Sequence, residues 1–368
     1  MTQPSDQHFM RRALELAARG EGHVEPNPMV GCVIVRDDQI VGEGWHEKFG
    51  QRHAEVAAIE NATSTDLSGC TAYVTLEPCC HVGKTPPCAN ALIKAEIGRV
   101  VIAMRDPFPK VNGGGILKLE SAGIKTEVGI EEEAARQLVA PYLMRVTDSR
   151  PWIIAKWAMT LDGKLATASG DSQWISNERS RKIVHAIRGR VDGIMVGRGT
   201  ALADDPLLTA RPSGPRTATR IVLDSGASLP LSSQLVQTSA EAPVLIATSQ
   251  EASNEAVKGL TESGCEVVRC EGSTHVERLR FLLGNLAERG MTNLLLEGGS
   301  QLLGTLVDAD LIDEVHAFIA PKIAGGNDAL PAIGGSGFNK MCESIQLKPT
   351  SIESLDGDIY FRGRTVRS

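Results

Sequence analysis

The sequence predicts two α/β domains in tandem. Three observations carry that expectation. At 368 residues the chain is longer than one typical domain. Short apolar strands alternate with amphipathic helices along its length, the pattern of helices covering a central sheet. The alternation breaks at the polar stretch Thr147-Asp148-Ser149-Arg150-Pro151, which ends in a proline. One α/β domain is therefore expected over 1–147 and a second over 151–368.

Composition narrows the class. A hydrophobic content of 42% supplies cores, and 23% charged residues is ordinary for a water-exposed surface. No apolar run reaches the length of about 18 residues expected of a membrane span. Met1 to Gln7 is polar, unlike a secretory signal. The net charge of −7 disfavours a nucleic-acid partner. Of the eight cysteines, three fall at 79, 80 and 88. That clustering suits metal in a reducing compartment rather than a disulfide framework, so a cytoplasmic location is expected.

In the first half, Phe9 to Arg19 is read as an amphipathic helix stopped by Gly20. Val30 to Val35 and Ile40 to Gly44 form a hairpin across Asp37-Asp38. Ala54 to Ala62 is read as a helix, Ala72 to Leu76 as a strand and Pro87 to Ala95 as a helix. Val100 to Met104 is a strand, Ile116 to Ala122 a helix, Ile124 to Val128 a strand and Glu131 to Met144 a helix. The second half opens with the strand Trp152 to Trp157 and a helix from Asn177 to Arg190, with Asn177 as its cap. Strands follow at Arg220 to Leu223, Val244 to Ala247, Glu266 to Val268, Asn293 to Leu296 and Val315 to Ile319. Val276 to Arg289 is a helix, and another opens at Ser300.

The stretch from His53 to Cys88 carries the chemistry. It offers His53-Ala54-Glu55 and then Glu77-Pro78-Cys79-Cys80-His81, closing at Cys88. One imidazole and two thiolates can hold zinc and leave a fourth position for water, whose pKa the metal lowers. Glu55, beside that water but off the metal, can carry a proton to a leaving amine. His-x-Glu followed by Pro-Cys-x-x-Cys is the pattern of zinc deaminases acting on nucleobases. Here eight residues rather than two separate Cys79 from Cys88. A closed structural zinc site, with Cys80 or His81 as fourth ligand, is the competing reading. A helix-start His-x-Glu would be superfluous in such a site.

The longer spacing sharpens a narrower match. His-Ala-Glu with Glu-Pro-Cys-Cys-His-Val-Gly-Lys-Thr-Pro-Pro-Cys resembles the deaminase half of the bifunctional riboflavin-biosynthesis deaminase/reductase family. That family usually carries Ser at the position of Cys80, which is read as a neighbour that does not ligate. In the second half the turn Glu297-Gly298-Gly299-Ser300 could bring backbone close to a phosphate. It is not the G-x-G-x-x-G fingerprint of a dinucleotide fold. Together with Leu161-Asp162-Gly163-Lys164, Ser172-Gln173-Trp174-Ile175, Gly199-Thr200 and Ala203-Asp204-Asp205-Pro206, it resembles the reductase half of the same family.

The resemblance implies a cytidine-deaminase-like three-layer α/β domain followed by a dihydrofolate-reductase-like α/β domain. It implies zinc on His53, Cys79 and Cys88, with Glu55 as the proton carrier. Substrate contacts are implied at Asn27, His46, His81 and Lys84, and in the second half at Ser172, Arg188, Leu208, Arg211 and Glu297. NADPH contacts are implied at Ala158, Trp174, Thr200, Asp204, Ser225, Gly298 and Gly299. The implied reactions are zinc-assisted deamination of a diaminopyrimidinone ribosylamine phosphate, then NADPH reduction of its ribosyl group to ribityl. The partners expected are this small phosphorylated pyrimidine and further copies of the chain, with no nucleic acid and no membrane. Residues 226–290 and the tail after Asn327 carry no motif for either reaction.

Overall fold

The computed structural model describes residues 5–81 and 86–366. The chain forms two compact units, 1–149 and 150–368.

In the first unit the strands are β1 (Gly31–Arg36), β2 (Gln39–Trp45), β3 (Thr71–Val74), β4 (Arg99–Ile102) and β5 (Lys125–Val128). They form one sheet in the order β2-β1-β3-β4-β5. β1 runs antiparallel to both neighbours, and β3, β4 and β5 run parallel. The hairpin turns at Asp37 and Asp38, both left-handed at φ 47° and 60°, the geometry that matches strand twist.

Among the described residues six α-helices cover the sheet: α1 (Asp6–Ala17), α2 (Ala54–Glu60), α3 (Cys88–Lys94), α4 (Gly114–Ser121), α5 (Glu132–Leu138) and α6 (Ala140–Thr147). Strand alternation sorts them into layers. Cys32 and Ile34 of β1 meet Ala54 and Ala58 of α2, Leu92 of α3 and Leu119 of α4 on one face. Val33 and Val35 meet Phe9 and Met10 of α1, Ala135 of α5 and Tyr142 of α6 on the other. The helix expected over Glu131 to Met144 is two. Val139 leaves helical geometry at φ −97°, ψ 17°, and Pro141 falls in the first turn of α6, where its missing N–H costs nothing.

The second unit holds a nine-stranded sheet. Its elements are β6 (Trp152–Thr160), α7 (Glu178–Arg188), β7 (Gly193–Gly197), α8 (Arg198–Asp204), β8 (Thr219–Leu223), α9 (Gln234–Gln237) and β9 (Val244–Ser249). They continue with α10 (Asn254–Glu262), β10 (Glu266–Cys270), α11 (His275–Glu288), β11 (Asn293–Leu296), α12 (Ser300–Asp308), β12 (Glu314–Ala320), β13 (Leu347–Leu355) and β14 (Asp358–Thr365). The order β10-β9-β8-β7-β11-β6-β12 is parallel throughout, and the β13–β14 hairpin adds antiparallel to β12. Asn177 caps α7 as expected, its side chain accepting from Ser180 N. The α10 helix and the β13–β14 hairpin lie in stretches where no motif marked them.

Candidate functional site

The first unit draws its metal ligands from three places. His53 is the N-cap of α2, Cys79 follows β3, and Cys88 is the first residue of α3. Their ligand atoms lie within 4.8 Å of one another. His53 Nδ1 is 3.2 Å from Cys88 Sγ and 3.7 Å from Cys79 Sγ. Those spacings match two or more soft donors converging on one ion, and one nitrogen with two sulfurs is a donor set zinc prefers. Charge is arranged to suit. The hydrogen bond from the Cys88 thiol is the main cause that lowers the Cys79 pKa, which favours the thiolate form that a metal ligand needs. Cys80 stands apart from the trio, its Sγ directed at Lys110 O at 3.6 Å.

Glu55, in the first turn of α2, is buried at 3% exposure. Burial first, and then the Cys79 charge, push its carboxyl up to about 7. A carboxyl that titrates near neutrality can both take and return a proton. The neighbouring Glu77 has a different task. Its two oxygens accept the N–H groups of Gly113 and Gly115 at 3.0 and 2.9 Å, tying the start of α4 to the cysteine stretch. Gly115 must be glycine there, because a Cβ would lie 2.0 Å from Pro78 O.

A pocket of about 200 Å³ opens over the trio, lined by Asn27, His46, His53, Glu55, Cys79 and His81 and walled by Phe108, Tyr142 and Arg145. Arg52 O can only accept, so His46 donates to it from Nδ1 and its Nε2 accepts from Asn27 Nδ2 at 3.2 Å. Burial lowers the His46 pKa, consistent with that neutral tautomer. His81 Nδ1 is buried without a hydrogen-bond partner. Of the expected contacts, Lys84 lies outside the described residues.

In the second unit a cleft of about 1180 Å³ runs past the carboxyl ends of the parallel strands. Ala158 of β6, Leu223 of β8, Ala247 of β9, Cys270 of β10 and Glu297 after β11 all line it. That is where open parallel sheets hold ligands. Ser172, Thr200, Asp204, Ser225, Gly298 and Gly299 also line it, so most of the residues expected there converge. Thr200 Oγ1 accepts from Gly299 N at 3.1 Å and pins the glycine turn.

Four expected residues are not among those lining the cleft. Arg188 acts on it through Glu297, with Nε to Oε1 at 2.6 Å and Nη2 to Oε2 at 2.9 Å. Leu208 buries its side chain and takes the left-handed φ of 51°, leaving backbone as its route to a ligand. Arg211 is exposed and bonds Thr209 Oγ1. Trp174 is 63% exposed, with the Arg181 guanidinium 4.6 Å from its ring. Sequence reasoning missed Lys156, whose Nζ lies 3.7 Å from Glu297 Oε2 on the cleft wall. A lone lysine inside the apolar run of β6 was the signal that could have found it.

Comparison with known proteins defines the class. Residues 3–104 match the cytidine and deoxycytidylate deaminase zinc-binding region, and residues 151–361 match the RibD C-terminal domain. The chain is therefore an enzyme that joins a zinc-dependent deaminase to a reductase, with zinc and NADPH as cofactors. It is 42% identical to riboflavin biosynthesis protein RibD of Actinobacillus pleuropneumoniae over 355 residues, 96% of this chain and 94% of that one. The structure of Acinetobacter baumannii RibD superposes with a TM-score of 0.86 at 36% identity, covering 98% of this chain and 99% of that one. A Thermotoga maritima diaminohydroxyphosphoribosylaminopyrimidine deaminase/5-amino-6-(5-phosphoribosylamino)uracil reductase gives 0.83 at 36% identity, with the same coverage. This chain belongs to the RibD family of bifunctional riboflavin biosynthesis enzymes.

Proposed function

We propose that the first unit deaminates 2,5-diamino-6-(5-phosphoribosylamino)pyrimidin-4-one and that the second reduces the ribosyl group of the product to ribityl. The observation that carries this reading is Glu55, buried beside the His53–Cys79–Cys88 trio at the floor of a pocket. His53, Cys79 and Cys88 would hold zinc, which makes a nucleophile of water at neutral pH. Glu55 takes the proton of the attacking water on its carboxylate and delivers it to the departing amine. Asn27, His46 and His81 orient the pyrimidine and its sugar, with Lys84 on the phosphate.

In the second unit NADPH would lie along Ala158, Thr200, Asp204, Ser225 and the Gly298-Gly299 turn, and it supplies a hydride to the sugar's C1′. Trp174 is assigned to the cofactor and Ser172, Arg188, Leu208 and Arg211 to the substrate. Glu297 and Lys156, paired across the cleft wall, would fix the sugar against the cofactor, since proximity is most of what a protein adds to hydride transfer. The reading includes a cytoplasmic location, where thiolate ligands stay reduced, and a homo-oligomer. Ile323, Met341 and Ile352, exposed at 78%, 86% and 65%, are side chains an oligomer would cover, and size determination in solution tests it.

The deciding experiment is the product mass after incubation with the diaminopyrimidinone substrate, first without and then with NADPH. Exchange of one amine for a carbonyl oxygen, followed by a gain of two hydrogens with cofactor, is expected. No change in either condition would overturn the substrate assignment.

A further inference from the structure

Helix α6 carries into the deaminase pocket a cation that the chemistry described so far does not use. Arg145, in the last turn of α6, lines that pocket. Its Nε is buried and has no hydrogen-bond partner, and its Nη2 makes one long bond, 3.4 Å to Pro26 O. Its guanidinium carbon stands 6.0 Å from the Tyr142 ring centroid. No carboxylate pairs with it among the described residues. The nearby Asp106, which lines the same pocket, is occupied elsewhere: Tyr142 OH and Phe108 N both donate to its Oδ1 at 2.9 Å. A guanidinium held in a wall with a desolvated, unused donor is costly, roughly 1–3 kcal/mol for the donor alone. Such a group is relieved when a ligand oxygen arrives.

Two of the pocket's three imidazoles are already committed, and the third, His81, has one buried ring nitrogen without a partner. His53 belongs to the metal trio and His46 is held between Arg52 O and Asn27. Among the described lining residues Arg145 is the one lysine or arginine. Resting on the deaminase reading above, the substrate brings one strongly anionic group, its phosphate. We infer that Arg145 binds the phosphate of the phosphoribosyl substrate in the deaminase unit, with Nε and Nη2 each donating to a phosphate oxygen. The guanidinium fork matches two such oxygens, and the long bond to Pro26 O is the one it exchanges.

The test uses the full zinc-loaded chain and two substrates, the phosphorylated diaminopyrimidinone and the same compound without its phosphate. With the phosphorylated substrate, Arg145→Ala raises KM roughly tenfold or more while kcat stays within a few-fold, and Arg145→Lys recovers part of the loss. With the dephosphorylated compound, wild type and Arg145→Ala behave alike, because the contact is absent from both. Zinc content is measured in each variant. Should Arg145→Ala lose zinc, Arg145→Gln, which keeps most of the stem, carries the same comparison. Equal losses on both substrates, or no loss with the phosphorylated one, would overturn the assignment. Failure of the wild type to deaminate the phosphorylated compound would instead overturn the substrate reading on which it rests.

Discussion

Arg188 forks onto Glu297 across 109 residues of sequence, with two N–H···O bonds of 2.6 and 2.9 Å. Burial alone would raise the Glu297 pKa, but Arg188 and Lys156 outweigh it and hold the carboxyl at about 2. In the unfolded chain the same group titrates at its ordinary value of 4.5. The folded pKa is the lower one, so this pair's contribution to stability is fully present above 4.5 and is lost as pH falls towards 2. The contribution is about 3 kcal/mol at most. Urea unfolding of the second unit, followed by the fluorescence of Trp152 and Trp157 in β6, is expected to lose stability over that interval. Glu297→Gln should be less stable at pH 7, because Arg188 loses its partner, and should lack this part of the acid dependence. Parallel acid profiles for the two proteins would contradict the assignment.

That pair also marks the limit of what sequence could reveal. The metal site was legible because His53, Cys79 and Cys88 fall within one short stretch, and their residue types alone imply zinc. Arg188 and Glu297 entered only through resemblance to a family, since nothing local in α7 or after β11 announces that they meet. Arg145 carries no sequence signal, since it lies one residue past the helix expected to end at Met144, and its buried, unused Nε exists only in three dimensions. The β13–β14 hairpin was hidden because Leu347–Leu355 is mostly exposed and contains Pro349, which blurs the period of two. By contrast α10 could have been found, because Ser253 caps it through the Ala256 N–H.

Removing zinc and removing the proton carrier should separate cleanly. Cys79→Ser and Cys88→Ser are expected to lose metal and deamination together, because each deletes a thiolate from a trio of donors. Glu55→Gln should keep zinc, measured by elemental analysis, yet lower deamination by roughly 10²- to 10⁴-fold. Reduction of the already deaminated substrate should be unchanged in all three. Loss of zinc from Glu55→Gln would show that the carboxylate supports the site rather than the proton.

In the reductase cleft Thr200 acts by holding the glycine turn. Its Oγ1 takes the Gly299 N–H at 3.1 Å, and a Cβ on Gly299 would sit 3.2 Å from that oxygen. Thr200→Val keeps the volume but leaves the N–H without its acceptor. NADPH affinity, read by titration of cofactor fluorescence, is expected to fall roughly three- to tenfold. Deamination should not change. An unchanged NADPH affinity would remove Thr200 and the turn from the cofactor site.

Gly44 is where the fold and the metal chemistry meet. It lies on β2 with its α-carbon against α2, and a Cβ there would stand 2.3 Å from Ala58 N and 2.5 Å from Ala54 O. Both are backbone atoms, so no rotamer change relieves the clash and α2 itself must move. That helix begins at His53 and carries Glu55, so Gly44→Ala should weaken zinc binding as well as destabilise the first unit, the latter by about 3 kcal/mol or more. Gly284, within α11, is the control: a Cβ there meets nothing within 4 Å. Gly284→Ala should raise stability by about 0.5–1 kcal/mol through helix propensity alone. Chemical denaturation with zinc analysis of both variants checks the contrast. A Gly44→Ala protein with normal stability and full zinc content would mean that α2 is free to shift without disturbing the site it starts.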